Sequence, residues 1–114
     1  VGYELIFVFK KGRPKLIGSR VNGVIPHEFH GFFDKTLHPT QKPVELLKFL
    51  QKKSIKEGLV LDCFAGSGST LVAAKQLGNS YVGCDISADY VKIAEERLGQ
   101  ETLQKYATLE TYEG

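Results

Sequence analysis

The fold is most constrained by two apolar runs, each ending at an acidic residue, with a glycine-rich turn between them. The first run, Leu59 to Cys63, is followed by Gly66 and Gly68, and the second ends at Asp85, 23 residues after Asp62. This order predicts a strand, a tight turn, a helix and a second parallel strand, the repeating unit of doubly wound α/β sheets. Because the ligand crevice of such sheets lies at the carboxyl ends of the strands, Asp62 and Asp85 are predicted to lie beside it.

The glycine turn favours a ligand that contains adenosine. Gly66 and Gly68 allow the backbone to turn sharply and to approach a ligand closely, and Asp85 suits a bidentate hydrogen bond to two ribose hydroxyls. Leu71 occupies the place of the third glycine of a dinucleotide loop, and no Lys-Ser or Lys-Thr pair follows the glycines as in a phosphate loop. The predicted ligand is therefore an adenosine without a phosphate chain, although a purely structural turn has the same spacing.

A second motif lies upstream of the turn. Residues 37–47 have the sequence Leu-His-Pro-Thr-Gln-Lys-Pro-Val-Glu-Leu-Leu, and residues 62–68 have the sequence Asp-Cys-Phe-Ala-Gly-Ser-Gly. Together the two motifs resemble those of the beta-class DNA amino-methyltransferases of restriction-modification systems, and the resemblance extends over about residues 3–98. The alternative for His38, Pro39 and Pro43 is a loop that caps a helix, since proline suits a first helical turn with or without a ligand.

The resemblance implies a binding site for S-adenosylmethionine. Thr40 and its neighbours would hold the methionine carboxylate, Asp85 would bind the ribose, and Ile86 would flank the adenine. The full implied set is His38, Thr40, Gln41, Lys42, Asp62, Phe64, Ala65, Gly66, Ser67, Gly68, Thr70, Asp85 and Ile86. The implied fold is α/β, a partial Rossmann-like class I methyltransferase sheet of mostly parallel strands with flanking helices and an N-terminal antiparallel strand. Residues 1–37 would belong to the target-side region and residues 38–114 to the cofactor-binding region.

The catalytic motif of that family is absent from these residues. It is an Asp/Asn/Ser-Pro-Pro-aromatic tetrapeptide that holds the target amine and stacks on a flipped base, whereas no Pro-Pro pair occurs in the 114 residues. No catalytic residue is therefore assigned. Since the beta class places this motif before the cofactor motifs and the chain begins with Val1, we expect the C-terminal part of an adenine-specific or cytosine-N4-specific DNA methyltransferase, inactive alone. A processed or split enzyme, whose catalytic half lies on a partner chain, would show the same features in these 114 residues.

Two other functional classes compete with this interpretation. A non-catalytic methyltransferase-like module that serves assembly or DNA contact would also keep the cofactor fold without the catalytic motif. A small-molecule oxidoreductase is disfavoured because Leu71 replaces the glycine that a nicotinamide dinucleotide loop needs.

The charge distribution predicts double-stranded DNA as a partner. Residues 1–60 contain 11 Lys and Arg against 5 Asp and Glu, a net charge of +6, whereas residues 61–114 contain 4 against 8, a net charge of −4. A basic region suits contact with phosphates, although solvated lysines on a helix give the same count. Lys10, Lys11, Arg13 and Lys15 are the better candidates for DNA contact. The other expected partners are the catalytic half of the enzyme and, in a homodimer, a second copy.

The remaining patterns predict a soluble, cytoplasmic protein without a metal site. No apolar run approaches the roughly 18 residues of a membrane span, and no signal-peptide pattern is present. Cys63 and Cys84 end two apolar runs without CxxC spacing, which predicts reduced core thiols rather than zinc ligands. Residues 27–30 lack the histidine spacing of a zinc-protease helix.

Local patterns also predict the secondary structure along the chain. The expected elements are a strand over Tyr3 to Phe9, loop with short strands over residues 13–37, a helix from Pro43 to about Lys56, a buried strand over Leu59 to Cys63, a helix over Ser69 to Leu77, a strand over Ser80 to Cys84, and a helix capped by Ser87 or Asp89. The pattern from Gly99 onward leaves the tail undecided.

Overall fold

The computed structural model describes residues 5–15, 17–18 and 42–113, with side chains described as far as residue 101. In chain order the elements are α1 (Val44–Ser54), β1 (Leu59–Asp62), α2 (Ser69–Gln76), β2 (Ser80–Gly83) and α3 (Ala88–Glu113). Most of the segment predicted to be loop with short strands, and the site residues His38, Thr40 and Gln41, lie outside the described residues.

The two described strands form a parallel sheet. Leu59 lies opposite Ser80 and Asp62 lies opposite Gly83, with α2 as the connection between the strands. Backbone pairing continues beyond both strands, because the Cys84 N–H donates to the Asp62 carbonyl at 3.0 Å and the Ala65 N–H donates to the Cys84 carbonyl at 2.9 Å. The α/β class with a parallel strand-helix-strand unit is therefore confirmed. Each predicted strand is one residue too long at its carboxyl end.

Helix α2 forms the centre of the core. It contacts α1, α3 and both strands. Its buried residues lie on more than one side of the helix, as expected for a helix enclosed by other elements. Gly83 allows β2 to approach α2 closely, since a Cβ atom at this position would lie 2.5 Å from the Cδ1 atom of Leu71. The buried apolar residues of the described part are Val60, Leu71, Val72, Ala73, Ala74 and Ala94.

The face of the sheet opposite α2 is exposed in the described part of the chain. Val60 is buried, but the alternating side chains of Leu59 and Leu61 are 63% and 64% exposed. The prediction of a fully buried strand is therefore wrong for these two residues, because no described helix covers that face. Cys63 and Cys84 are free thiols, but both are exposed, so the prediction that they belong to the core is also wrong. They lie at the carboxyl edge, beyond the side chains that α2 covers.

The predicted N-terminal strand is not observed where the structure describes it. Residues 5–10 have no regular secondary structure, and Leu5, Phe7 and Phe9 are at least 75% exposed. The rings of Phe7 and Phe9 stack on one another with centroids 6.5 Å apart. A strand requires a neighbour that satisfies its backbone groups, and the described residues provide none here. The expected antiparallel N-terminal strand is therefore wrong for residues 5–9.

The helix ends differ from the prediction in ways that local chemistry explains. Helix α1 begins after Pro43, whose extended backbone angles make it the N-cap, and ends at Ser54, two residues before the predicted end at Lys56. The Ser87 hydroxyl accepts a hydrogen bond from the Tyr90 N–H at 3.3 Å, so Ser87 rather than Asp89 caps α3. The undecided tail continues α3 to Glu113. None of the helices in the described ranges is long and apolar enough to cross a membrane.

Candidate functional site

The turn between β1 and α2 forms the centre of the candidate site. The Asp62 carboxylate accepts a hydrogen bond from the Phe64 N–H at 3.0 Å, which bends the chain directly after the strand. Gly66 and Gly68 have φ angles of +54° and +89°, values that residues with a Cβ atom rarely adopt. The Gly68 N–H donates to the Ala65 carbonyl at 2.8 Å. The backbone of the turn therefore has one defined shape that depends on both glycines.

Asp85 joins this turn to the end of β2. Its Oδ2 atom accepts a hydrogen bond from the Gly66 N–H at 2.9 Å, and its Oδ1 atom accepts one from the Ser87 N–H at 2.8 Å. Hydrogen bonds to an ionised carboxylate are stronger than neutral ones. Asp85 is only half-buried, so part of its side chain is open to solvent at the carboxyl edge of the sheet. The carboxylate can thus hold the turn and receive a ligand at the same edge.

Two large apolar side chains are exposed beside the turn. Phe64, two residues after β1, is 90% exposed, and Ile86, three residues after β2, is fully exposed. Both follow strands that end at the same edge of the parallel sheet. Exposed apolar side chains beside hydrogen-bonding groups are typical of small-molecule sites, where apolar contact provides affinity and polar groups fix orientation.

The helices support the turn from the other side. The Arg97 guanidinium on α3 donates to the Ser67 carbonyl at 2.8 Å, and the Gln51 amide on α1 donates to the Thr70 carbonyl at 3.0 Å. Neither residue was predicted from the sequence. Ala94 and Arg97, three residues apart on α3, lie on one helix face, but this spacing alone does not distinguish Arg97 from the other charged residues of the helix.

The structure brings together nine of the predicted site residues, those that belong to the turn, the first turn of α2 and the end of β2. Ser67 is buried, and its hydroxyl accepts from Arg97 at 3.1 Å. Lys42 is exposed and directly precedes the N-cap residue of α1. The nine residues at the edge are Asp62, Phe64, Ala65, Gly66, Ser67, Gly68, Thr70, Asp85 and Ile86. Across the described ranges, no cluster of three His, Cys, Asp or Glu side chains could hold a metal ion.

Comparison with known proteins places the chain in a family. A family model described as DNA methylase, N6_N4_Mtase, matches residues 19–96. The putative methylase YubD of Escherichia coli (strain K12) is 37% identical over 112 residues, which cover 94% of this chain and 48% of YubD. The type II methyltransferase M2.DpnII of Streptococcus pneumoniae is 51% identical over 65 residues, which cover 56% of this chain and 24% of that protein.

A solved structure is similar in fold to more than half of the chain. The crystal structure of an M1.HpyAVI-SAM complex is similar to 57% of this chain and 32% of that chain, with a TM-score of 0.55 and 36% sequence identity. The chain spans about half of YubD and about a quarter of M2.DpnII. The matching family model covers more than half of the chain, in agreement with the two motifs. The chain therefore belongs to the N6 and N4 DNA methylase family.

Proposed function

We propose that this chain forms the S-adenosylmethionine-binding part of a DNA amino-methyltransferase. The observation that carries the proposal is the 2.9 Å hydrogen bond between the Gly66 N–H and Asp85, which joins the glycine turn and the second acidic residue into one site. The reaction would transfer a methyl group to adenine N6 or cytosine N4 of DNA. The cofactor, when bound, supplies that methyl group from its sulfonium.

The described residues fit this cofactor in chemistry and position. The half-buried Asp85 carboxylate suits the two ribose hydroxyls as a hydrogen-bond acceptor. The exposed side chain of Ile86 suits one face of the adenine, and Phe64 with the two glycines suits the methionine side. His38, Thr40, Gln41 and Lys42, which precede α1 in the sequence, complete the proposed site at the methionine carboxylate.

The proposed DNA contact rests on basic side chains near α1. Lys10, Lys11, Arg13 and Lys15 are all exposed. The segment that follows them is attached to α1, because the Ile17 N–H donates to the Lys53 carbonyl at 2.8 Å. Lys15 is two residues before Ile17, whose backbone contacts the end of α1 that carries Lys52 and Lys53. Clustered basic residues bind phosphates without sequence specificity.

The residues that hold the target base are proposed to come from outside these 114 residues. The chain contains no Pro-Pro pair, so it supplies the methyl-donor side and not the tetrapeptide that grips the amine. The proposed partners are therefore DNA and the catalytic half of the enzyme, either on the same polypeptide or on a separate chain. We expect no methyl transfer by this chain alone. Assembly with a second copy remains a proposal as well.

Calorimetric titration of S-adenosylmethionine into the intact protein tests the proposal. Asp85→Ala is expected to weaken binding about tenfold to a hundredfold, since a hydrogen bond to a charged group contributes ~1.5–3 kcal/mol. Asp89→Ala, which removes an exposed acid from the first turn of α3, is the matched control and should bind as the wild type does. Equal affinities for wild type and Asp85→Ala would refute the role of Asp85, and no binding by the wild type would refute the function.

A cofactor analogue without ribose hydroxyls separates a direct contact from a collapsed turn. If Asp85 binds the ribose, wild-type protein should lose affinity for the analogue, whereas Asp85→Ala should bind the analogue and the cofactor equally. If Asp85 only holds Gly66 in place, the analogue should weaken binding to both proteins by the same factor. A DNA methylation assay separates the two remaining classes. The cofactor-binding part of a methyltransferase should methylate DNA once it is combined with its catalytic half, whereas a non-catalytic module should not.

A further inference from the structure

Arg97 makes several hydrogen bonds to the glycine turn from outside the site itself. Its Nη1 atom donates to the Ser67 carbonyl at 2.8 Å, to the Ser67 hydroxyl at 3.1 Å and to the Ser69 hydroxyl at 3.1 Å. Ser67 and Ser69 are buried. The two serines flank Gly68, so a single guanidinium nitrogen holds both sides of the residue with the left-handed backbone.

Ala94 supports the same turn one helical turn earlier on α3. A Cβ atom at Gly68 would lie 2.8 Å from the Ala94 Cβ and 3.2 Å from the Ala94 Cα, so α3 touches the backbone of the turn directly. The small side chain of Ala94 and the long side chain of Arg97 thus act at adjacent points of one helix face. The turn cannot shift toward α3 without a clash, and it cannot shift away without losing the hydrogen bonds of Arg97.

The position of α3 is itself fixed against α2. The Lys75 ammonium, in the last turn of α2, donates to the Leu98 carbonyl on α3 at 2.8 Å. This contact lies one residue beyond Arg97 along α3. Because α2 begins at the end of the glycine turn, α3 holds both the turn and the helix that follows it.

We propose that Arg97 is a positioning residue that sets the shape of residues 65–69 for the amino-acid half of the cofactor. The inference rests on the proposed function, in which the turn lines the methionine side while Asp85 and Ile86 receive the adenosine. Arg97 donates to Ser67 and Ser69, whereas Asp85 accepts from Gly66 earlier in the turn. Its loss should therefore affect one half of the ligand more than the other.

Two ligands separate this role from a general loss of stability. S-adenosylmethionine carries the amino-acid part, whereas 5′-methylthioadenosine has the adenosine without it. Calorimetry on the intact protein should show that Arg97→Met weakens S-adenosylmethionine binding about tenfold or more while it changes 5′-methylthioadenosine binding less than about twofold. Lys92→Met removes an exposed cation from the same helix and serves as the matched control, with both affinities expected to equal those of the wild type.

A conservative variant and a small guanidinium compound keep the test decisive if Arg97→Met folds poorly. Arg97→Lys keeps the charge but not the planar donor geometry, so it should fold and show a smaller loss with the same selectivity between ligands. Methylguanidinium at about 10 mM, far below denaturing concentrations, should restore S-adenosylmethionine binding to Arg97→Ala and leave 5′-methylthioadenosine binding unchanged.

Three results would overturn the inference. Equal losses for the two ligands in Arg97→Met and in Arg97→Lys would mean that Arg97 only stabilises the fold. Unchanged affinity for S-adenosylmethionine would mean that the turn keeps its shape without Arg97. In either case wild-type binding of S-adenosylmethionine would leave the proposed function standing, whereas wild-type protein that binds neither ligand would overturn the proposed function and the inference together.

Discussion

Replacement of Gly68 by alanine should destabilise the protein more than replacement of any other described glycine of similar backbone angle. Gly68 has a φ of +89°, and a left-handed backbone costs a residue with a Cβ roughly 1–2 kcal/mol. The added Cβ would also lie 2.8 Å from the Ala94 Cβ. Overpacking of this kind costs roughly 1–3 kcal/mol when the neighbours are buried. The free energy of unfolding should therefore fall by about 2–5 kcal/mol in total.

Gly78 provides the matched control for the backbone contribution. Its φ is +78°, but a Cβ at this position would meet nothing within 4 Å. Gly78→Ala should thus cost only the roughly 1–2 kcal/mol of the left-handed backbone. Urea denaturation of both variants, followed by circular dichroism, measures the difference. Because the two glycines share the same backbone region, the excess cost at Gly68 reports the contact with α3.

A second substitution identifies Ala94 as the source of that excess. Ala94→Gly alone should cost about 1 kcal/mol as a glycine in a helix, but combined with Gly68→Ala it removes the closest contact of the new Cβ. The double variant should therefore be more stable than the sum of the single effects predicts, by about 1 kcal/mol or more. Two results would refute the reasoning: equal costs at Gly68 and Gly78, or strictly additive effects in the double variant.

Two further predictions concern exposed positions. Phe64→Ala should change the free energy of unfolding by less than about 0.5 kcal/mol, because the side chain is 90% exposed, yet it should weaken S-adenosylmethionine binding measurably in calorimetry; a large loss of stability in urea would contradict this. Gly99→Ala should raise the free energy of unfolding by about 0.4–1 kcal/mol, because Gly99 lies inside α3 and a Cβ there meets nothing within 4 Å. A destabilised Gly99→Ala protein would mean that the helix is strained at this point.

The part of the fold nearest the site was predictable from the sequence because its signals are local. An apolar run that ends in Asp62, two glycines and a second run that ends in Asp85 predict the order and direction of β1, α2 and β2. The glycines also mark the left-handed positions directly, since Gly66 and Gly68 adopt them. The ends of the strands are within one residue of the prediction, because the turn residues that limit the strands are visible in the sequence.

The predictions that failed depend on parts of the chain distant in sequence. Burial of Leu59, Leu61, Cys63 and Cys84 was inferred from apolar composition, which assumes that helices cover both faces of a parallel sheet. In the described part α2 covers only one face, so these residues are exposed. The strand predicted for residues 5–9 failed in the same way, because strand composition does not specify a neighbouring strand.

Arg97 and Gln51 were missed because their function depends on how helices pack and not on any motif. Arg97 reaches serines 28 and 30 residues earlier in the chain, and no local pattern specifies which charged residue of a long helix faces a turn. The same packing places Gln51 with its amide on the Thr70 carbonyl and its Oε1 atom buried without a partner among the described residues. Such contacts follow only from the tertiary structure.

The contacts between the turn and α3 enlarge the set of residues that belong to the proposed cofactor site. The two sequence motifs end at Gly68, and Asp85 adds the next strand, but the observed shape of the turn also requires Ala94 against Gly68 and Arg97 on the neighbouring serines. Lys75 then fixes α3 through the Leu98 carbonyl. Since every one of these contacts joins elements that are separate in sequence, a polypeptide that kept both motifs but ended before Ala94 should retain the residues of the proposed site and lose the geometry on which the proposed binding depends.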